Sequence, residues 1–188
     1  PEPRRLLEAR GLYNGHRFDR DSRIVLVLAG YTQDDTTGYT TQLKAKIKDA
    51  GIDARFIEEL VGARREQRGA DKVYSLWDTY VFADFITYPS LWEGWGNQLL
   101  EALRAKVPIM LFEYPVYKAD IKDRGFHVVS LGSELQGHDA RGLAQVASPI
   151  IDRAADEAVE LLTDAKLRRQ VVDHNYALGE RYYSLTSL

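Results

Sequence analysis

The chain has 188 residues, of which 45% are hydrophobic and 28% charged, a composition typical of a globular protein and not of a disordered one. Its formal net charge of −3 leaves no global basic field, so the composition gives no indication of a nucleic-acid partner. No cysteine is present, which excludes disulfides and thiolate metal sites and is compatible with a cytoplasmic protein.

The length suits one domain with its own hydrophobic core. No apolar run approaches the roughly 20 residues that a membrane span needs, and no signal peptide is recognisable. The chain begins at Pro1, and its only methionine is Met110. We therefore expect a single domain over residues 1–188 that is a fragment of a longer, two-domain chain.

Extended and helical patterns alternate along the chain. The first run, RIVLVLAG, is apolar and β-branched and ends in glycine, as is typical of a strand buried on both faces. The next segment has Leu43 and Ile47 at helical spacing and Gly51 placed to end a helix. Strands are predicted at residues 23–30, 53–61, 84–90, 107–114 and 127–132, and helices at residues 4–13, 37–51, 71–83, 98–105, 150–163 and 164–183. This alternation predicts an α/β fold with a doubly wound, Rossmann-like parallel sheet.

The segment PSLWEGWGNQLLE, residues 89–101, follows the third predicted strand and opens a helix. In open parallel sheets, ligands bind in the crevice at the carboxyl ends of the strands, where this segment is expected to lie. Gly94 and Gly96 allow backbone N–H groups to approach a ligand, and a helix that begins near Asn97 favours an anion such as phosphate. Glu93 and Glu101 would accept hydrogen bonds from hydroxyls on either side. Together these features indicate a nucleotide-sugar.

A simpler interpretation of the two acids remains open at this point. Glu93 also fits a helix-capping acid, and Glu101 fits an exposed position on an amphipathic helix. Two acids separated by seven residues are common by chance, so their spacing alone does not decide.

The residues around these acids resemble the donor-site motif of retaining glycosyltransferases with the GT-B fold, and most closely that of family 4. The family pattern is an Asp opening a strand, Pro-Ser, Glu-Gly-aromatic-Gly, a second Glu after seven residues, then Ala and Val-Pro. The matching positions are Asp84, Pro89, Ser90, Glu93, Gly94, Trp95, Gly96, Glu101, Ala102, Val107 and Pro108. A weaker similarity extends from RIVLVLAG to the last helix. The resemblance implies the Rossmann-like C-terminal half of a GT-B enzyme.

The resemblance also implies roles for individual positions. Glu93 would bind donor-sugar hydroxyls, and Glu101 the ribose hydroxyls of a UDP-, GDP- or ADP-hexose. Backbone amides would contact the sugar at Gly94, Trp95 and Gly96, and the phosphates at Asn97, Gln98 and Leu99. The nucleotide base would lie near Glu59, Leu60 and Val61. No residue of this chain is predicted to act as a catalytic acid, base or nucleophile.

The chain departs from the family pattern in two places near the motif and in one larger respect. Trp95 stands where Phe is commoner, and Lys106 replaces the Gly that often precedes Val-Pro, at a helix end that we expect to tolerate change. The family's diphosphate-binding Arg and Lys and its N-terminal acceptor domain have no counterparts in these residues. We therefore expect both to belong to the rest of the protein, and the isolated chain to be inactive.

No cofactor or metal is expected. Asp19-Arg20-Asp21 matches the metal-binding Asp-x-Asp of another glycosyltransferase fold, but it precedes a strand instead of following one, so we interpret it as a turn. The four histidines are scattered without ligand spacing. In the GT-B pattern the helix dipole and basic side chains neutralise the leaving diphosphate, so that no metal is needed.

Two other function classes remain open from the sequence. A nucleotide-sugar epimerase or a phosphorylase can share this fold, although the complete motif argues against both. A non-catalytic module that binds a nucleotide or sugar would keep the same site without turnover. Thermal shift with UDP-, GDP- and ADP-sugars would separate binding from no binding, and a transfer assay would separate enzyme from module.

Overall fold

The structure is a computed structural model that describes residues 24–29 and 38–184. The described residues form two compact units. The N-terminal unit contains residues 24–29, 38–79 and 137–145, and the glycine-turn unit contains residues 80–136 and 146–184. The predicted helix at residues 4–13 and the Asp19–Asp21 turn lie outside the described residues.

The N-terminal unit opens with a parallel strand pair joined through a helix. Strand β1 (Leu26–Leu28) pairs in parallel with β2 (Ala54–Phe56), and helix α1 (Tyr39–Asp49) lies between them in the chain. The helix is followed by Gly51 at φ +65°, a left-handed conformation that glycine adopts without strain, as the sequence predicted. The predicted strand at residues 53–61 is shorter than expected, because a 3₁₀ turn at Glu58–Leu60 interrupts it.

The prediction of one helix over residues 71–83 is wrong for its first half. Strand β5 (Asp71–Ser75) pairs in parallel with β3 (Val61–Gly62) and antiparallel with β4 (Glu66–Arg68). Only α2 (Leu76–Tyr80) is helical. The apolar stripe that indicated a helix consists of Val73, Leu76, Trp77 and Tyr80. Because Val73 is buried in the sheet, pairing with two strands overrides the helical period. An antiparallel pair, β9 (Gly137–His138) with β10 (Ala144–Gln145), completes the unit.

The glycine-turn unit contains a parallel sheet of three strands that follow one another both in the chain and in space. Its strands are β6 (Ile86–Tyr88), β7 (Ile109–Leu111) and β8 (Val129–Ser130). Helix α3 (Asn97–Ala105) joins β6 to β7, and the long helices α4 (Ser148–Thr163) and α5 (Ala165–Tyr183) follow β8. Because the strands are parallel, their carboxyl ends lie along one edge. The predicted α/β fold with parallel pairing is therefore confirmed.

The core of this unit lies between the sheet and the two long helices. Buried side chains from the ends of β7 and β8 pack against both helices. The cluster consists of Phe112, Val129, Leu131, Ala154, Leu161 and Val171. Burial of such side chains stabilises each by about 1.5–3 kcal/mol relative to exposure, which is what orders the sheet edge that precedes the candidate site.

The C-terminal end of α3 is held by the last helix. Lys106 adopts a left-handed conformation at φ +54°, where glycine is usual. Its ammonium contacts Asp173 Oδ1 at 2.8 Å and lies 4.5 Å from the ring centroid of Tyr176. These contacts to α5 support the strained backbone of Lys106. The expectation that this position tolerates change did not include them.

Candidate functional site

The glycine turn, residues 93–96, links strand β6 to helix α3 at the carboxyl edge of the sheet. Gly96 precedes the helix at φ +98°, a conformation that only glycine adopts freely. A Cβ at this position would lie 1.9 Å from the hydroxyl of Tyr114 and 2.8 Å from its Cζ. Tyr114 is fully buried, and its hydroxyl donates a hydrogen bond to the carbonyl of Trp95 at 3.1 Å. Position 96 therefore requires glycine for two reasons, the left-handed backbone conformation and the close approach of the Tyr114 ring.

Gly94 has a different environment from Gly96. It is exposed, and a Cβ there would meet no atom within 4 Å. The open space leaves its backbone accessible, and its role in ligand binding stays a prediction.

The first turn of α3 presents backbone N–H groups to this edge of the sheet. The residue before the helix, Gly96, supplies no side-chain cap, and Asn97 and Gln98 are both exposed. The first N–H groups of a helix have no intrahelical partner and lie at its positive end, so this position favours an anion. Leu99 differs, because its side chain is fully buried and its N–H already donates to the carbonyl of Gly96 at 3.0 Å.

Each of the two acids has a buried tyrosine beside it. The hydroxyl of Tyr80 donates to Glu101 Oε2 at 2.7 Å, and the phenol of Tyr88 lies beside the carboxylate of Glu93. Burial, reinforced by the neighbouring carboxylates, raises the pKa of both phenols well above the ordinary value for tyrosine. The two phenols therefore stay protonated at physiological pH and remain donors. Both acids are partly buried, so Glu101 does not occupy the freely exposed position that remained possible from the sequence.

An aromatic layer supports the turn from below and from the side of α5. The rings of Tyr88 and Tyr114 meet edge to face with centroids 5.9 Å apart. The ring of Trp95 packs edge to face on Tyr183 of α5 at 4.9 Å, and Tyr183 in turn stacks on Phe126 at 5.9 Å. Burial and then the Glu93 carboxylate raise the pKa of Tyr114 to about 12. These edge-to-face contacts are the favoured geometry for aromatic pairs and fix the backbone of the turn.

The sequence analysis missed the three tyrosines that organise this site. Tyr88 ends the strand DFITY, and Tyr114 ends the predicted strand VPIMLFEY, so both occupy the carboxyl edge where ligands bind. Tyr80 was assigned only to an apolar stripe. Tyr88 and Tyr114 could have been identified from the sequence, because each stands at the carboxyl end of a predicted strand, where the site was expected.

The residues predicted to lie near a nucleotide base belong to the N-terminal unit. Glu59 and Leu60 are exposed at the end of a 3₁₀ turn, and Val61 is buried in β3 opposite Tyr74. Their role stays a prediction.

No group of three or more His, Asp or Glu residues among 24–29 and 38–184 is arranged to hold a metal ion. Within the same ranges, no helix combines the length and the apolar character of a membrane span.

The fold is that of the C-terminal domain of a group 1 glycosyl transferase. The structure matches that domain of the protein LpcC from Francisella tularensis with a TM-score of 0.53 and 22% sequence identity, over 84% of this chain and 68% of that one. The predicted Rossmann-like C-terminal half of a GT-B glycosyltransferase is thereby confirmed as a fold. No family model matches the sequence.

The sequence is also similar to two curated proteins that have the same name. The chain is 40% identical over 177 residues to mannosylglucosylglycerate synthase of Thermotoga maritima, covering 94% of this chain and 38% of that protein. It is also 40% identical over 173 residues to the enzyme of the same name from Petrotoga mobilis, covering 92% of this chain and 39% of that protein. The chain thus spans about two fifths of the length of these relatives.

Proposed function

We propose that the chain is the donor-binding domain of a retaining GT-B glycosyltransferase of family 4, which transfers a hexose from a nucleotide diphosphate sugar to an acceptor hydroxyl. The observation that carries the proposal is the glycine turn, where exposed residues at a helix start lie between two acids, each beside a buried tyrosine. A core-packing role would not require Gly94 to face open space or place a buried phenol beside each acid. Similarity to two glycosyl-transferring relatives supports the same class.

The proposal assigns one part of the donor to each element. Glu93, with the amides of Gly94, Trp95 and Gly96, binds the hexose. The N–H groups of Asn97 and Gln98 bind the diphosphate, whereas Leu99 would have to share its N–H with the carbonyl of Gly96. Glu101 binds the ribose hydroxyls.

The same arrangement suggests how the diphosphate leaves. Positive charge at the start of α3 stabilises the negative charge that develops on the leaving phosphate, so the site works without a metal ion. The acceptor hydroxyl attacks the anomeric carbon from the face of the leaving group, and the departing phosphate oxygen takes the hydroxyl proton. The anomeric configuration is kept, and no catalytic base is needed on this chain.

The names of the relatives suggest the two substrates. We propose that the hexose is mannose and that the acceptor is glucosylglycerate, with the acceptor domain and the phosphate-binding basic pair supplied by further residues of a longer protein. We also propose that residues 1–188 form a single domain and that the protein acts in the cytoplasm.

The test separates the two acids by ligand. UDP, GDP, ADP and their hexose conjugates are first screened by thermal shift, and the tightest pair is titrated by calorimetry. Glu101→Gln should weaken free nucleotide and nucleotide-sugar alike, because it contacts the ribose. Glu93→Gln should weaken only the nucleotide-sugar. Each loss should be roughly tenfold to a hundredfold, as expected for one charged hydrogen bond.

A matched control is Glu160→Gln, an exposed acid on α4 that should change neither affinity. Equal losses of free nucleotide in the Glu93 and Glu101 variants would refute the division between sugar and ribose. If neither substitution changed any affinity, neither acid would contact the donor and the proposed donor site would be wrong.

A further inference from the structure

A second concave site lies on the glycine-turn unit, beside the glycine turn. The cleft has a volume of about 570 Å³. Its lining comes from the segments that follow each of the parallel strands, so it opens at the same carboxyl edge of the sheet. The lining residues are Leu91, Phe112, Glu113, Pro115, Lys118, Ala119, Ser133 and Leu135. None of the residues assigned above to the donor is among them, although Leu91 is only two positions from Glu93.

The acid in this cleft is already neutralised from within the protein. Glu113 accepts hydrogen bonds from the ammonium of Lys122 and from the hydroxyl of Ser130, both at 2.7 Å. Partial burial works to raise the pKa of Glu113, but these two donors and the charges of Lys122 and Lys118 outweigh it, and the pKa lies below the ordinary value for glutamate. The carboxylate is therefore ionised, and each of its oxygens already accepts one hydrogen bond.

The remaining charge in the lining is the ammonium of Lys118. It lies 3.4 Å from the hydroxyl of Ser133, and no carboxylate of the described part of the chain is within 4 Å of it. Lys122 is outside the lining but pairs with Glu113, so two ammonium groups, those of Lys118 and Lys122, face this one carboxylate. An ammonium beside a hydroxyl is a pair of donors suited to one carboxylate.

The other walls of the cleft are apolar. Phe112 and Leu135 belong to or border the core, and Pro115 lies on the rim. Lys118 projects from a single π-helical turn at Tyr117–Ile121, a feature that is frequent at functional sites. A concave, mostly apolar surface with a few convergent polar groups is the usual form of a small-molecule site.

From these observations we infer that the cleft binds the acidic end of the acceptor, with Lys118 pairing with a carboxylate and Ser133 hydrogen-bonding beside it. The inference rests on the proposed function, in which the acceptor is a hydroxylated carboxylic acid joined to a sugar. Binding at the same sheet edge as the glycine turn would leave the sugar end of the acceptor directed towards the donor hexose. Lys118 would then distinguish an acidic acceptor from a neutral one.

The test compares an acidic ligand with its neutral counterpart. The chain is titrated with glucosylglycerate and with glucosylglycerol, which lacks the carboxylate, and amide shifts are followed by NMR in the presence of the donor nucleotide. Glucosylglycerate should bind more tightly than glucosylglycerol and should shift the amides of Lys118 and Ser133. Lys118→Gln should weaken glucosylglycerate roughly three- to tenfold, as expected for one exposed charged hydrogen bond, and leave glucosylglycerol unchanged. The matched control is Lys166→Gln, which removes an exposed charge from α5 outside the cleft.

The outcomes separate this inference from the proposed function. If nucleotide-sugar binds but glucosylglycerate affinity does not change in the Lys118 variant, the acceptor subsite is wrong and the donor site stands. If Lys118→Gln weakens the nucleotide-sugar instead, the cleft belongs to the donor hexose and the inference is overturned. If neither variant nor wild type binds any nucleotide-sugar, the proposed function itself fails.

Discussion

At the scale of single residues, the site depends on what lies beneath the glycine turn. The motif residues are visible in the sequence, but the contacts that position them come from Tyr80, Tyr88 and Tyr114. Tyr80 donates to the carboxylate of Glu101 and Tyr114 to the carbonyl of Trp95, so the site is held by directed hydrogen bonds as well as by packing. Preorganised acceptors of this kind bind hydroxyls without the entropic cost of ordering a free side chain.

The two glycines of the turn offer a direct comparison. Gly96→Ala should lower the free energy of unfolding by about 1–3 kcal/mol for the left-handed backbone, and further for the overlap with the hydroxyl of Tyr114. Gly94→Ala should change stability by less than about 0.5 kcal/mol, because its Cβ would enter open space. Urea unfolding followed by circular dichroism measures both.

A second substitution tests the cause of the loss at Gly96. Tyr114→Phe removes the hydroxyl nearest to the added Cβ but leaves the ring, so the double variant should recover only part of the stability. Equal unfolding free energies for the Gly94 and Gly96 variants would contradict the assigned role of Tyr114. Because Gly94→Ala leaves the fold intact, any loss of nucleotide-sugar binding in that variant would report on the ligand and not on folding.

At the scale of elements, an acid in the first turn holds the start of the short helix α2. Asp78 accepts hydrogen bonds from the backbone N–H and the hydroxyl of Ser75, both at 2.9 Å, and from the guanidinium of Arg65. The bond from the backbone N–H of Ser75 is the one that the acid of a capping box makes to the residue before the helix. Thus the helix starts directly after β5, although the apolar stripe of residues 71–83 had indicated one continuous helix.

This element has a predictable pH dependence. The guanidinium of Arg65 is the main cause that lowers the pKa of Asp78 to about 2. Since the folded pKa lies below the unfolded value of about 3.9, the stabilisation is fully present above pH 4 and is lost as the pH falls through about 2. In Arg65→Gln, the pKa of Asp78 should rise towards the ordinary value, as measured by carboxyl ¹³C shifts.

Stability measurements should agree with that titration. Between pH 4 and pH 2, the unfolding free energy of the wild type should fall more steeply than that of Arg65→Gln. Arg64→Gln removes a neighbouring exposed charge and should follow the wild-type profile. Parallel profiles for the wild type and Arg65→Gln would show that the ion pair does not shift Asp78.

At the scale of the whole molecule, the chain has the fold of a glycosyl transferase C-terminal domain but spans only about two fifths of the length of its relatives. The described residues divide into an N-terminal unit and a glycine-turn unit, and the glycine turn, the two acids and the cleft all belong to the second. The proposed function places acceptor binding partly in the rest of a longer protein.

We therefore expect the 188-residue chain to bind a nucleotide-sugar without transferring it. Incubation with GDP-mannose, UDP-glucose or ADP-glucose and with glucosylglycerate should give no disaccharide product by mass spectrometry. The full-length Thermotoga maritima enzyme serves as a positive control for the assay. Glycosyl transfer by the chain alone would contradict the need for further residues.

The sequence by itself determined the fold class, most element positions and the motif residues. Alternating apolar strands and amphipathic helices are local patterns, and the glycine turn is a contiguous segment, so both can be identified without tertiary contacts. The sequence also placed Gly51 at the end of α1 and the two long helices near their observed bounds.

Only the tertiary structure decided what supports and surrounds that motif. Tyr80 and Tyr114 are 21 and 19 residues from the groups that they contact, and residues 71–75 form a strand because two other strands pair with them. The charge balance of the cleft likewise depends on Lys122 and Ser130 reaching Glu113 from different segments. Local periodicity carries no information on such pairings, because sheet partners and hydrogen-bond donors are set by the packing of segments that are distant in the chain.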